Sequence, residues 1–192
     1  MTRLFFHELK AQQVLFWRSR ESAFFTFLLP IIFLVLLGSV YGDEQFEGIG
    51  GSTYLLAGLI GYGVVATAFA GLAITLVVRR ESGVLKRVRG TPLPASVYLG
   101  AVIVSTLVVI GLEVISQLLI GKYVLDASWP ASPAAFALVL VVGAAAFAAL
   151  GLALTGLVRS AEWSSAVVNA IYLPMTFISG VFFSTEGMPH SP

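Results

Sequence analysis

Five mostly apolar stretches, at positions 23–41, 54–78, 97–121, 134–158 and 163–183, constrain this chain more than any other feature. A helix crosses a bilayer with about 20 such residues, so each stretch is long enough to span and too long for an ordinary soluble strand. The strict two-residue alternation of a transmembrane barrel is absent. The first stretch is not a cleaved leader: it is longer than the ~7–15 residues of a signal core, a polar segment precedes it and four more spans follow. Of the 192 residues, 58% are hydrophobic and 11% charged. Soluble domains carry about 45–50% and about 25%, so a soluble enzyme or a nucleic-acid binder does not fit. The reading is an all-α membrane protein, a polytopic helix bundle forming one domain over residues 1–192.

Orientation follows from lysine and arginine, which accumulate on the cytoplasmic side of membrane proteins. With the N-terminus inside, Arg3, Lys10, Arg18, Arg20, Arg79, Arg80, Lys86, Arg87, Arg89 and Arg159 face the cytoplasm, and of the 11 basic residues only Lys122 falls outside. Asp43, Glu44, Glu47, Asp126 and Glu186 lie outside. Trp17, Tyr98 and Trp163 at inner span ends, and Tyr41, Tyr54, Tyr123 and Trp129 at outer ones, read as headgroup anchors. Expected is a multi-pass protein of the inner (plasma) membrane. Five spans leave the C-terminus outside, and a sixth returning helix is expected to be missing from the sequence.

Residues 1–22 place Phe5, Leu9 and Phe16 on one helical face, interrupted by Gln12 and flanked by basic residues, which suits an interfacial helix. A disordered basic leader is the competing reading. In the second span Gly63, Thr67, Gly71 and Thr75 recur every four residues, and in the fourth Gly143, Ala144, Ala148, Gly151 and Gly156 are small. Both patterns predict faces where helix backbones approach closely. Pro30 and Pro174 should kink the first and fifth spans.

Candidate chemistry is sparse. The absence of cysteine excludes disulfides, thiolate metal sites and a cysteine nucleophile, while His7 and His190 lie at opposite ends, so no metal site or catalytic constellation can be assembled. No Gly-x-x-x-x-Gly-Lys-Ser/Thr phosphate loop occurs, since Gly121-Lys122 is followed by Tyr123. The run Gly48-Ile49-Gly50-Gly51 reads as a turn in an outer loop. Glu113, with Gln117 one turn on, sits two-thirds of the way along the third span. A carboxylate at the centre of a lone helix costs about 2.5–3.5 kcal/mol on insertion scales, so it must face a partner or a wet cavity. Helix-to-helix hydrogen bonding, a substrate or cavity role, and a proton relay are the three readings. A relay wants a second ionisable group in the membrane, and no other span offers one.

The loop at 79–96 is the most informative segment. It holds Arg79, Arg80, Lys86, Arg87 and Arg89, then a Thr91-Pro92-Leu93-Pro94 stop. Val84, Leu85 and Val88 recur at helical spacing, which predicts a short amphipathic helix ending near Gly90. Cations alone would fix topology. An ordered apolar face and a double-proline turn suit a helix that docks a cytoplasmic partner.

This loop resembles the first cytoplasmic loop of ABC-2 type transporter permeases, Arg-Glu-x-Gly-x-Leu-(charged)-Arg-x-Arg-x-Thr-Pro-Leu, through Arg80, Glu81, Gly83, Leu85, Lys86, Arg87, Arg89, Thr91, Pro92 and Leu93. A second resemblance lies about 90 residues on, where Pro174, Ser179, Gly180 and Phe182, followed by Glu186 and Met188-Pro189, match the family's fifth-span signature. The family layout has an interfacial helix and six spans. The resemblance implies the membrane subunit of an ATP-driven exporter, itself not an enzyme, paired with a second permease half, identical or not, above separate ATPase subunits that bind ATP and Mg. It also implies that Glu81, Gly83, Leu85, Lys86, Arg87, Arg89, Thr91 and Pro92 form the coupling contact. The closest likeness is to the drug-resistance (daunorubicin-type) branch, so small amphipathic antibiotics are the expected substrates, in contact with membrane lipid. Lipid or polysaccharide export is the alternative. An ion-coupled transporter using Glu113 and a non-transporting scaffold are the readings from other classes.

Overall fold

In a computed structural model, residues 2–46, 48–158 and 160–178 are described. They form helices α1 (Thr2–Arg18), α2 (Arg20–Tyr41), α3 (Gly51–Glu81), α4 (Val84–Arg89), α5 (Ala95–Leu125), α6 (Pro133–Leu157) and α7 (Ala161–Ile178). Between α2 and α3 a two-residue pair, β1 (Gln45–Phe46) and β2 (Ile49–Gly50), turns through Gly48 at φ 77°. The chain is thus an all-α polytopic bundle, and among the described residues α2, α3, α5 and α6 are long and apolar enough to cross a membrane. The described part of the fifth predicted span, 163–183, lies in α7. Ser179, Gly180, Phe182, Glu186 and Pro189 lie outside the described residues, as do Glu47, Arg159 and His190.

Helix is the form these stretches must take, because hydrocarbon offers no water to unpaired backbone groups. The bundle is built around α3, whose Leu56, Leu59, Val64, Ala68, Leu72 and Leu76 form much of the core. Outward-facing Leu36, Val40, Leu138, Val139 and Leu157 remain exposed, as a lipid-facing surface requires. Packing and hydrogen bonds, not water exclusion, hold such helices together. Three of the five fourth-span small residues, Ala144, Ala148 and Gly151, are buried as expected. A Cβ on Gly151 would lie 2.8 Å from the Phe69 carbonyl oxygen, whereas Gly143 and Gly156 face open space.

Two π-helical turns interrupt the spans. In α2, Phe24–Leu28 precedes Pro30, and the Leu29 N–H reaches back five residues to the Phe24 carbonyl. Pro30 has no N–H to offer the Thr26 carbonyl, so the ladder is already irregular where the sequence predicts a kink. In α3, Ala66–Gly71 is π-helical and the Leu72 N–H reaches Thr67 O. Such wide turns occur mostly at functional positions.

The N-terminal segment is helical, not a disordered leader. It lies against α5, where Gln13 Nε2 donates to Ser105 O at 3.0 Å and to Ser105 Oγ at 2.9 Å. Gln12 is buried, with its amide oxygen accepting from Arg79 of α3, so it is part of the helix's packed side and not a break in it. Leu4, Phe6, Leu15 and Trp17 stay exposed.

Candidate functional site

A cavity of about 870 Å³ runs between α1, α2, α3, α5 and α7. Its lining extends along α3 from Arg79 to Tyr62, roughly 25 Å at 1.5 Å per residue. Gly63, Thr67, Gly71 and Thr75 all line it, with Gly71 and Thr75 exposed. The stripe is a helix-packing face only in part: Gly63 and Thr67 meet Glu113 of α5, whereas the small side chains of Gly71 and Thr75 leave space. Periodicity shows that residues share a face, but not whether another helix covers it.

Glu113 lines the cavity towards the end remote from Arg79. The Thr67 hydroxyl donates to Glu113 Oε2 at 3.2 Å, and Gln117 Nε2 donates to Oε1 at 3.2 Å. The first bond joins α5 to the wide turn of α3, so the helix-to-helix reading of Glu113 is realised in the geometry. Gly63 is required there, since a Cβ would strike the Glu113 carboxylate. Glu113 is 1% exposed and Gln117 0%, and Gln117 Oε1 has no partner among the described residues. Tyr62 and Tyr172 line the same space with ring centroids 5.7 Å apart. Neither tyrosine is distinguished in the sequence, because α7 reaches α3 only in the folded bundle.

At the basic end, side chains tie the helix termini together. Arg79 Nη1 donates to Gln12 Oε1 at 2.7 Å and to the Tyr98 hydroxyl at 3.1 Å, linking α3, α1 and α5. Tyr98 is therefore a buried hydrogen-bond partner and not a headgroup anchor. Arg80 donates from Nη1 to Thr155 O at 2.7 Å and from Nη2 to Val158 O. Those carbonyls lie at the end of α6, where helices leave acceptors unpaired and favour cations. Glu81 accepts from the Ala161 N–H at the start of α7, the end that favours an anion. Adjacent Arg80 and Glu81 thus clasp the junction of α6 and α7, two roles that sequence spacing does not reveal.

Gly83, at φ 76°, turns the chain from α3 into α4. Leu85, Val88 and Leu93 pack against the bundle core, while Lys86, Arg87 and Arg89 are exposed. The apolar side of this short helix thus rests on the bundle, between the tight turns at its two ends. Thr91 Oγ1 donates to Val88 O at 2.6 Å and accepts from Leu93 N–H at 3.4 Å, making the stop a hydrogen-bonded turn; Pro92 is exposed.

The ABC-2 type transporter family profile matches residues 3–191. The chain belongs to the ABC-2 type transporter family. It is also similar to the Bacillus subtilis (strain 168) protein named "Putative transport permease YvfS", with 26% identity over 173 residues, covering 90% of this chain and 70% of that one. No solved structure matches. Family membership makes the chain a multi-pass membrane protein of transport, whose family implies an ABC ATPase as partner.

Proposed function

We propose that this ABC-2 permease is the membrane half of an exporter driven by separate ATPase subunits, and that it moves small amphipathic molecules of a drug-like kind outward. It sits in the plasma membrane with its N-terminus and basic end in the cytoplasm, paired with a second permease half. ATP and Mg are bound by the ATPases. The observation that carries the reading is the family match across residues 3–191. Two features support the mechanism. The cavity leads inward from the basic end, and α4 presents Lys86, Arg87 and Arg89 to the surrounding water while Leu85 and Val88 anchor it to the bundle.

On this reading the cationic face of α4 receives the ATPase, and the anchored face makes the ATPase's movement a movement of α3. Arg80 and Glu81 pass it to α6 and α7. The roles of Glu81 and Leu85 are thereby internal and mechanical, with the contact to the partner made by the three cations.

The test is co-purification from native membranes with ATP hydrolysis assayed on the eluate. Wild type brings down a nucleotide-binding subunit. Replacing Lys86, Arg87 and Arg89 together by glutamate loses it while the permease stays folded. An ATPase retained unchanged by that triple variant, or no ATPase with the wild type, refutes the proposal.

A further inference from the structure

Glu113 has no cationic partner among the described residues. Its donors, Thr67 and Gln117, are both neutral. When ionised, a carboxylate offers about four lone-pair positions, so in that form these two bonds leave acceptor capacity over. Among the described residues the one basic side chain lining the cavity is Arg79, twelve positions along α3 from Thr67, about 18 Å away by helical rise, and bonded to Gln12 and Tyr98. At membrane depth an uncompensated carboxylate faces a functional partner or a cavity. Here the cavity is present and two tyrosine rings stand in its wall, where aromatic faces attract organic cations. Phe16, Phe25 and Leu29 line it further out, giving the occupant an apolar flank. A volume of about 870 Å³ falls in the range of drug-sized sites, about 300–1,000 Å³.

We infer that this cavity binds an amphipathic organic cation, with the Glu113 carboxylate as counter-charge and Tyr62 and Tyr172 as its aromatic wall. The inference rests on reading the cavity as the substrate path of the proposed exporter. It names the charge of the substrate and the residue that selects it. Gly71 and Thr75 contribute by being small, and a large side chain at either would fill the space without touching Glu113.

Tetraphenylphosphonium and tetraphenylborate, alike in size and shape and opposite in charge, are the probes. Their binding is measured with the permease–ATPase complex in zwitterionic lipid nanodiscs, against empty nanodiscs. The cation binds saturably and the anion at least about tenfold more weakly. Glu113→Gln lowers affinity for the cation about thirtyfold or more, the scale of losing one member of a desolvated charge pair. Glu113→Asp keeps most of it, and Gly71→Leu lowers it with the carboxylate intact. Equal affinity for both ions overturns the inference, as does a Glu113→Gln variant that is folded and binds the cation like wild type. If Glu113→Gln does not fold, Gly71→Leu and the two probes on wild type still decide. Failure with the ATPase still attached leaves the exporter standing. Glu113-dependent binding without any ATPase in native membranes refutes the exporter and keeps the site.

Discussion

Replacing Arg80 by alanine removes two charge-assisted hydrogen bonds, to the carbonyls of Thr155 and Val158, that close the end of α6. Hydrogen bonds to charged groups contribute about 1.5–3 kcal/mol each. The lower figure applies twice here, and water reaching the half-buried Thr155 carbonyl at the bundle's end returns part of it, leaving a net loss of about 2 kcal/mol. Arg80→Lys retains a point charge that can reach one carbonyl but not both, so it recovers about half. Because Glu81 holds the adjoining start of α7, the Arg80→Ala and Glu81→Ala losses will not add: once the junction is loose, the second removal costs less. Reversible unfolding in mixed micelles, followed by helical circular dichroism, measures these three variants and the Arg80→Ala/Glu81→Ala double variant. A loss under about 0.5 kcal/mol for Arg80→Ala, or strict additivity with Glu81→Ala, would refute the clasp.

Gly151→Ala pushes a methyl group against the Phe69 carbonyl and should cost about 1–3 kcal/mol by the same unfolding assay, whereas Gly143→Ala, facing open space, stays within about 0.5 kcal/mol. Thr67→Val leaves Glu113 Oε2 without its donor from α3; interhelical bonds of this kind contribute about 0.6 kcal/mol on average and up to about 1.7, and no change in unfolding would mean the bond is not made in the membrane. Orientation is measurable because the chain has no cysteine: a membrane-impermeant thiol reagent should label Ser128→Cys in intact cells and Ser82→Cys only after permeabilisation, and the reverse pattern would invert the topology.

Gln12 and the glycine–threonine stripe show where sequence reasoning stops. Both were legible as positions on a helical face, since a period of 3.6 residues places them there. Their meaning depended on the opposite partner. Gln12 looks like a flaw in an apolar stripe until Arg79 is seen 67 residues away with its guanidinium on the amide oxygen. Gly71 and Thr75 look like a packing face until the space before them is found empty of helix. Glu113 was conspicuous by its charge, yet Tyr62 and Tyr172 carried no mark, because an aromatic residue in an apolar span is ordinary.

That the chain is a helical membrane bundle, where its apolar segments lie, and which loop carries the concentrated charge can all be read from the residues in order. These follow from local chemistry: hydrocarbon forces each apolar segment to satisfy its own backbone, and arginines cannot cross it cheaply. That Arg80 and Glu81 clasp the ends of α6 and α7, that the apolar side of α4 rests on the bundle, and that Glu113 borders a cavity emerges from the folded bundle alone. Each of those depends on contacts between residues as many as 80 positions apart, and helix packing, not periodicity, selects which faces meet.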